Sequence, residues 1–98
     1  MHKAWKKDEL GDYVEMNATE RIPYSLNCTD LLVAGETIST VELTLHANVT
    51  QFGATQVNGN FITFILVASG AVGSWNCSCK INGSIALIKI LPFRVKIK

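Results

Sequence analysis

Three cysteines and one internal histidine are the residues of this chain best suited to bind a metal. Cys77 and Cys79 are two positions apart, Cys28 lies far upstream, and His46 stands between them. Thiolate and imidazole are the ligands that zinc prefers. However, His46 has the opposite parity to the apolar residues of its predicted strand, and no second ligand motif accompanies it. We therefore expect a surface histidine, no metal site and no cofactor.

The number of cysteines is also odd, whereas a disulfide framework normally uses an even number. Cys77 and Cys79 share one face of a predicted strand, so their Cα atoms should lie roughly 6.5–7 Å apart, at or past the reach of a relaxed disulfide. Cys28 could pair with either one across two packed sheets, and this alternative stays open. The favoured prediction is three reduced thiols that pack as small apolar side chains.

Five Asn-x-Ser/Thr sequons suggest a secreted glycoprotein, and they begin at Asn17, Asn27, Asn48, Asn76 and Asn82. The first four have an apolar or small middle residue, which is what alternation on a solvated sheet face also produces. The opening residues lack the apolar stretch of a signal peptide. We therefore expect the asparagines to carry no glycan.

No pattern in the sequence indicates catalysis. The acidic residues Asp8, Glu9, Asp12 and Glu15 lack the spacing and the glycine of a calcium loop. No nucleophile, phosphate-binding or dinucleotide motif is present. The net charge of +1 argues against nucleic acid, and the longest apolar run, residues 61–73, is shorter than the about 20 residues of a membrane helix. We expect a protein that is not an enzyme and has neither nucleic acid nor membrane as a partner.

Charge is distributed very unevenly along the 98 residues. All eight acids lie in residues 1–42, residues 43–79 contain no Asp, Glu, Lys or Arg, and five basic residues follow from Lys80 onward. A small domain in water normally scatters both signs of charge over its surface. We interpret the uncharged stretch as contact surface for neighbouring proteins; the alternative is a sheet coated with Ser, Thr and Asn.

Alternation of apolar and polar residues identifies the elements that position these groups. A period of two runs through Ile22, Tyr24, Leu26 and Cys28, through Val41 to Val49, and through Trp75 to Ile81. Asn58-Gly59 and Asn82-Gly83 predict hairpin turns, and a change of parity predicts a bulge near Leu91 and Pro92. The sequence thus predicts an all-β fold: an immunoglobulin-like β-sandwich of about seven strands over residues 21–98, preceded by an extended N-terminal arm over residues 1–20. Trp5 and Tyr13, on the arm, are candidates for anchoring a neighbouring subunit.

Three short motifs, Asp12-Tyr13, Gly35-Glu36-Thr37-Ile38 and a looser element at residues 69–75, resemble those of a family of small tailed-bacteriophage virion proteins, the fibre–tail adaptors and head decoration or cement proteins. Asp12-Tyr13 is similar to the Asp-Tyr pair near the start of its members, and Gly35-Glu36-Thr37-Ile38 to their Gly-Asp/Glu-Thr-Ile element. Ser69, Gly70, Gly73 and Trp75 match a third element loosely, because it is shortened, lacks the double glycine and has Trp in place of Tyr.

The resemblance implies a virion component, made in the cytoplasm of a host bacterium, that binds larger virion proteins in many symmetric copies and catalyses nothing. Capsid cement and tail–fibre adaptor are both open, with cement preferred, and a sugar- or receptor-binding immunoglobulin-like module remains a different class. Its partners would be the major capsid protein or the tail and fibre proteins. We expect complementary contacts between copies, from an arm to a basic strand. The arm residues are Trp5, Lys6, Lys7, Asp8, Asp12 and Tyr13, and the strand residues are Arg94, Lys96 and Lys98.

Overall fold

The computed structural model describes residues 5–98, which form eight β-strands and one short 3-10 turn at Thr29–Leu31. The strands are β1 Lys6–Asp8, β2 Gly11–Met16, β3 Arg21–Asn27, β4 Ile38–Thr44, β5 Val49–Asn58, β6 Phe61–Ala68, β7 Gly73–Gly83 and β8 Ile88–Ile97. The all-β prediction is confirmed.

The strands are arranged in two sheets. One has five strands in the order β1-β2-β8-β7-β4, and the other has three in the order β3-β6-β5. Strand pairs in the described residues are antiparallel except β2 and β8, which run parallel from Tyr13 opposite Arg94 to Met16 opposite Ile97. The beginning and the end of the described chain therefore lie side by side in one sheet.

The core lies between the sheets and follows the alternation of the sequence. Phe64 of β6 stacks on Phe93 of β8 with ring centroids 6.1 Å apart, which joins the two sheets directly. Each large apolar side chain that is fully buried contributes roughly 1.5–3 kcal/mol. The inward residues of the strands supply most of the others: Val14, Met16, Tyr24, Ile62, Leu66, Ala68, Cys77, Cys79, Ile81, Val95 and Ile97.

The expected extended arm is different in the structure, because residues 6–8 and 11–16 form β1 and β2 of the five-stranded sheet. Val14 and Met16 are fully buried in the core, while Tyr13 and Glu15 alternate with them on the outer side. Only two apolar residues mark this strand, which is why alternation within a charged segment went unrecognised. The first four residues of the expected arm lie outside the described residues.

The bulge expected near Leu91 and Pro92 is wrong. β8 pairs with β7 in one register from Asn82 opposite Ile88 to Gly73 opposite Ile97, without a shift. The inward parity continues through Leu91, so Ile88 and Ile90 point outward and are exposed, contrary to the assumption that both must be buried. The count of eight strands also differs from about seven, since β8 is one strand and the N-terminal segment adds two.

The two Asn-Gly pairs have different outcomes. Gly59 adopts a positive φ of 62° in the turn between β5 and β6, as the hairpin prediction requires. Asn82 and Gly83 instead remain within β7, and the chain reverses after them, at residues 84–87.

The three cysteines are buried and unpaired, so Cys28 forms no disulfide with Cys77 or Cys79 in this structure. Burial raises the pKa of each thiol, and that of Cys79 reaches about 11 because the nearby Cys28 adds to the effect of burial. The thiols are therefore protonated at neutral pH and pack as small apolar groups.

Candidate interaction surfaces

A single buried carboxylate organises one end of the sandwich. Glu36, only 5% exposed, precedes β4. Its Oε2 accepts hydrogen bonds from the backbone N–H groups of Ile85 at 3.0 Å, Ala86 at 2.7 Å and Leu87 at 2.9 Å. Its Oε1 accepts one from the N–H of Val33 at 3.3 Å. One side chain thus holds together two loops that are about fifty residues apart in sequence.

The electrostatics of Glu36 follow from these donors. The backbone N–H groups of Leu87 and Ala86 lower the pKa of the Glu36 carboxyl to about 2, and burial opposes them only in part. A carboxylate that accepts several backbone hydrogen bonds is held in its ionised form. Glu36 is consequently a structural anion throughout the neutral range.

The same loops are joined by further contacts, and the approach of Glu36 to β7 needs a glycine at position 83. A Cβ atom on Gly83 would lie 2.3 Å from Glu36 Oε2, closer than atoms can approach. The Thr37 N–H donates to Ser84 Oγ at 3.0 Å, and the Ser84 N–H donates to the Thr37 carbonyl at 2.8 Å. We call residues 33–37 and 83–87 the loop end. The absence of a side chain at Gly83 is what lets the carboxylate approach the β7 backbone.

Large apolar side chains are exposed on and beside the loop end. Ile85 at the hairpin tip, Ile88 and Ile90 on β8 are 63%, 69% and 57% exposed, and we call these three residues the apolar strip. Val33, on the other loop of the loop end, is also exposed. Isolated exposed apolar residues are ordinary, but several on one hairpin are typical of a contact surface.

The outer side of the five-stranded sheet carries a network of ion pairs. Arg94 pairs with Asp8, and Lys96 Nζ lies 3.4 Å from Asp8 Oδ2. Lys6 pairs with Glu15, and Lys98 Nζ lies 3.1 Å from Glu15 Oε2. We call these six residues, with Tyr13, the charged face.

Tyr13 lies beneath two cations of the charged face. Lys96 Nζ is 3.9 Å, and Arg94 Cζ 5.3 Å, from the centroid of its ring. The pKa of Asp8 is lowered to about 2, chiefly by its hydrogen bond with Arg94, and the pKa of Glu15 is lowered first by Lys6 and then by Lys98. The acidic and basic residues expected to meet between copies thus already meet within one chain.

Trp5 packs against the core of its own chain. Its ring centroid lies 5.4 Å from that of Phe93 and 5.7 Å from that of Tyr24, and its Nε1–H donates to the Ser25 carbonyl at 2.9 Å. It therefore closes the space between the two sheets, a role that competes with anchoring a neighbour. Of the other predicted contact residues, Lys7 and Asp12 are exposed and face each other between β1 and β2.

The uncharged stretch supplies two of the three strands, β5 and β6, whose side chains form much of the outer side of the three-stranded sheet. Phe52 and Phe61 are about half exposed, and Arg21 Cζ lies 3.9 Å above the Phe52 ring. Ile65 is paired with Phe52 on β5 and with Pro23 on β3. The charge-free sequence therefore supplies both core residues and an outer face of mixed apolar and hydroxyl side chains.

A cleft of about 310 Å³ opens where the two sheets meet near Trp5. Trp5 and Phe61 supply aromatic surface to it, and Asp12 and Asn27 supply polar side chains. The cleft thus combines an apolar wall with hydrogen-bonding groups.

His46 is partly buried rather than fully exposed. Its ring stacks on Trp75 with centroids 4.6 Å apart, and its Nδ1 accepts a hydrogen bond from the Asn48 N–H at 3.1 Å. Within residues 5–98, no three His, Cys, Asp or Glu side chains are placed to hold a metal ion. Nor does this part of the chain form a helix with the length and hydrophobicity needed to cross a membrane.

Comparison with known proteins leaves the family open. The sequence matches no protein-family model and no curated protein. Among solved structures, the solution structure of Amebosin is similar over 88% of this chain and 88% of its own, with 11% sequence identity and a TM-score of 0.41. A likeness this weak supports no inference about function.

Proposed function

We propose that this chain is a non-enzymatic structural protein of a tailed-phage virion that binds and stabilises neighbouring subunits, and that it is a capsid cement or decoration protein. The observation that carries the proposal is the apolar strip, Ile85, Ile88 and Ile90, exposed on a hairpin that Glu36 holds in place. A rigid apolar surface loses little conformational entropy when it is covered by a partner.

The strand order supports an immunoglobulin-like topology for this domain. In immunoglobulin domains one sheet contains strands C, F and G in that order, and the other contains B, E and D. The neighbours β4-β7-β8 and β3-β6-β5 correspond to these two sets, and β2 extends the first sheet beyond β8. The loop end then joins B to C and F to G, and loops of this end are the binding loops of antibody variable domains.

Glu36 lies in one of the motifs that resemble those of phage virion proteins. Gly35-Glu36-Thr37-Ile38 matches a family element, and its acid is the residue that joins the two loops. The proposed partners are the major capsid protein or the tail and fibre proteins, together with further copies of this chain in a symmetric arrangement, in a virion assembled in the host cytoplasm. The proposal includes neither nucleic acid nor membrane.

Copy number in purified particles tests the proposal and its first alternative, a tail–fibre adaptor. A cement protein covers the shell, so its amount should be comparable to that of the major capsid protein. An adaptor should occur in a small multiple of the rotational symmetry of the tail. Quantitative mass spectrometry against the capsid protein separates the two, and absence of the chain from particles would contradict both.

The second alternative, a sugar- or receptor-binding module, is favoured by the cleft near Trp5. Aromatic side chains beside an acid and an amide are suited to the apolar and polar faces of a sugar. Titration of the isolated chain with a panel of glycans, followed by isothermal titration calorimetry, would detect such binding. A Trp5→Phe variant should weaken a genuine signal, since Trp5 forms part of the cleft wall.

A further inference from the structure

The first half of β8 has a neighbour on one side only. β7 pairs with β8 along its length, from Ile88 to Ile97, whereas β2 pairs only with residues 94–97. No strand of the described chain covers the other edge of β8 before residue 94. β2 ends its pairing there because the turn that joins β1 to β2 comes just before Gly11. Residues 88–93 of β8 therefore form an open edge, although β8 lies between β2 and β7 in the strand order of the sheet.

The hydrogen bonds around β8 show which backbone groups this edge presents. The Gly83 N–H donates to the Leu87 carbonyl at 2.8 Å, so residue 87 points toward β7. The Lys98 N–H donates to the Met16 carbonyl at 2.9 Å, so residue 98 points toward β2. Because backbone groups alternate along an unshifted strand, the even-numbered residues point away from β7. The N–H and C=O groups of Ile88 and Ile90 thus point out of the sheet.

Side chains around the open edge specify what kind of strand fits it. Ile88 and Ile90 are exposed on one face, and the exposed Lys89 points to the other face. No ion pair of Lys89 is found in residues 5–98. A cleft of about 240 Å³ continues the edge, with Leu10 and Gly11 on one side and Leu91 and Pro92 on the other. The edge should therefore prefer a strand with apolar side chains on the face of Ile88 and Ile90 and acidic side chains on the face of Lys89.

We propose that the open edge of β8 binds an extended segment of a partner polypeptide that alternates apolar and acidic residues. Its apolar side chains lie beside Ile88 and Ile90, its carboxylates meet Lys89, and its backbone pairs with residues 88 and 90, as in other strand additions. A second copy of β8 fits less well, since antiparallel pairing about residue 89 would place two lysines opposite each other. That the segment belongs to a neighbouring virion subunit rests on the proposed function; the strand addition itself does not.

Backbone amide hydrogen exchange of the isolated chain tests the edge directly. The probe is a synthetic decapeptide that alternates valine and glutamate, and the control peptide alternates valine and lysine. Without peptide, the Ile88 and Ile90 amides should exchange quickly, while those of Lys89 and Leu91, which face β7, should be protected. The glutamate peptide should slow exchange at Ile88 and Ile90 by roughly tenfold or more, and the lysine peptide should not. Unchanged exchange with the glutamate peptide would overturn the proposal.

Proline at position 90 provides a matched variant. Ile90→Pro removes an N–H that faces the open edge and no hydrogen bond to β7, so the fold should be retained, as for proline on edge strands generally. It should abolish the protection of the Ile88 amide by the peptide, whereas Ile90→Val should preserve it. Lys89→Glu should reverse the preference toward the lysine peptide. A folded Ile90→Pro protein that still responds to the glutamate peptide would contradict the proposal.

Exchange in assembled particles separates this inference from the proposed function. If the chain is present in particles and its Ile88 and Ile90 amides are protected there, both stand. If it is present and these amides exchange freely, the segment does not come from a neighbouring virion subunit, and the structural role stands. If the chain is absent from particles, the structural role fails, and the peptide experiment alone decides the chemistry of the edge.

Discussion

The loop end and the charged face both depend on carboxylates whose pKa values are lowered, but they hold those carboxylates in different ways. Glu36 is buried and is bound by four backbone N–H groups. The side chain of Asp8 is about one-third exposed and is bound by the side chains of Arg94 and Lys96, with a single backbone N–H, that of Leu10, beside them. Backbone donors in a closed loop stay in place and are shielded from salt. Exposed cations on a sheet surface, such as those of Lys6 and Lys98, are screened by salt.

This difference separates a rigid region from an adaptable one. The loop end should keep one geometry over a wide range of salt, because its carboxylate is buried and is bound by backbone groups. The charged face can exchange its internal ion pairs for pairs with another molecule at small cost. A partner that recognises shape would therefore be expected at the loop end, and one that recognises charge at the charged face.

The largest effect that we predict is that of removing the Glu36 carboxylate. Glu36→Ala removes a buried carboxylate and leaves the N–H groups of Ile85, Ala86 and Leu87 without their acceptor, and should lower the melting temperature by roughly 10 °C or more. Circular dichroism during heating measures it. Glu42→Ala, which removes an exposed acid of β4, is the matched control and should change the melting temperature by less than about 3 °C. Equal melting of the two variants would show that Glu36 does not anchor the loops.

An intermediate effect is expected in the pH dependence of stability. The folded pKa of Glu36, about 2, lies below the ordinary value of 4.5, so ionised Glu36 stabilises the fold. This contribution is complete above about pH 4.5 and is lost as the pH falls toward 2. Denaturant unfolding between pH 2 and 6 in low and high salt should show an acid-induced loss that Glu36→Gln reduces at both salt concentrations. Asp8 and Glu15 contribute in the same direction, but their share should shrink in high salt. If high salt removed the acid-induced loss of stability entirely, the charged face would contribute more to it than Glu36, contrary to our expectation.

The smallest effects are expected on the charged face. Arg94, whose side chain is only 11% exposed, also donates to the Gly11 carbonyl at 3.1 Å and so fixes the β1–β2 turn. Arg94→Met should lower the melting temperature by about 2–5 °C and speed amide exchange in β1 and β2. Glu15→Gln, which affects only exposed pairs, should have little effect at high salt. If Glu15→Gln proved the more damaging of the two, the charged face would be more rigid than its exposure indicates.

The sequence was most informative where apolar residues alternate over a long segment. The strands around Tyr24 and Cys79 were expected for this reason, while the turn at Gly59 was expected from the Asn58-Gly59 pair. β2 was missed because only Val14 and Met16 mark its inward face within a charged segment. Its position depends on parallel pairing with β8, which lies some eighty residues away and leaves no local signal.

Glu36 illustrates why the candidate site could be predicted only in part. A single acid ahead of a strand has the same local pattern whether it lies in water or is buried among backbone donors. Gly83 gave a signal that was interpreted as a turn, although its role is to allow the approach of that acid. Ile88 and Ile90 were predicted to point inward because apolar residues were assumed to face the core, but both are exposed. In each case the deciding fact is a contact between distant segments.

The parallel pairing of β2 with β8 also has a mechanical consequence. Tension applied through the two ends of the domain would pull β2 toward its N-terminal end and β8 toward its C-terminal end. After the short β1 peels away, two parallel strands pulled in opposite directions are loaded in shear, and their hydrogen bonds must break together rather than one after another. Forced unfolding is governed by the height of the unfolding barrier. We therefore expect this small domain to resist unfolding strongly when it is pulled at both ends.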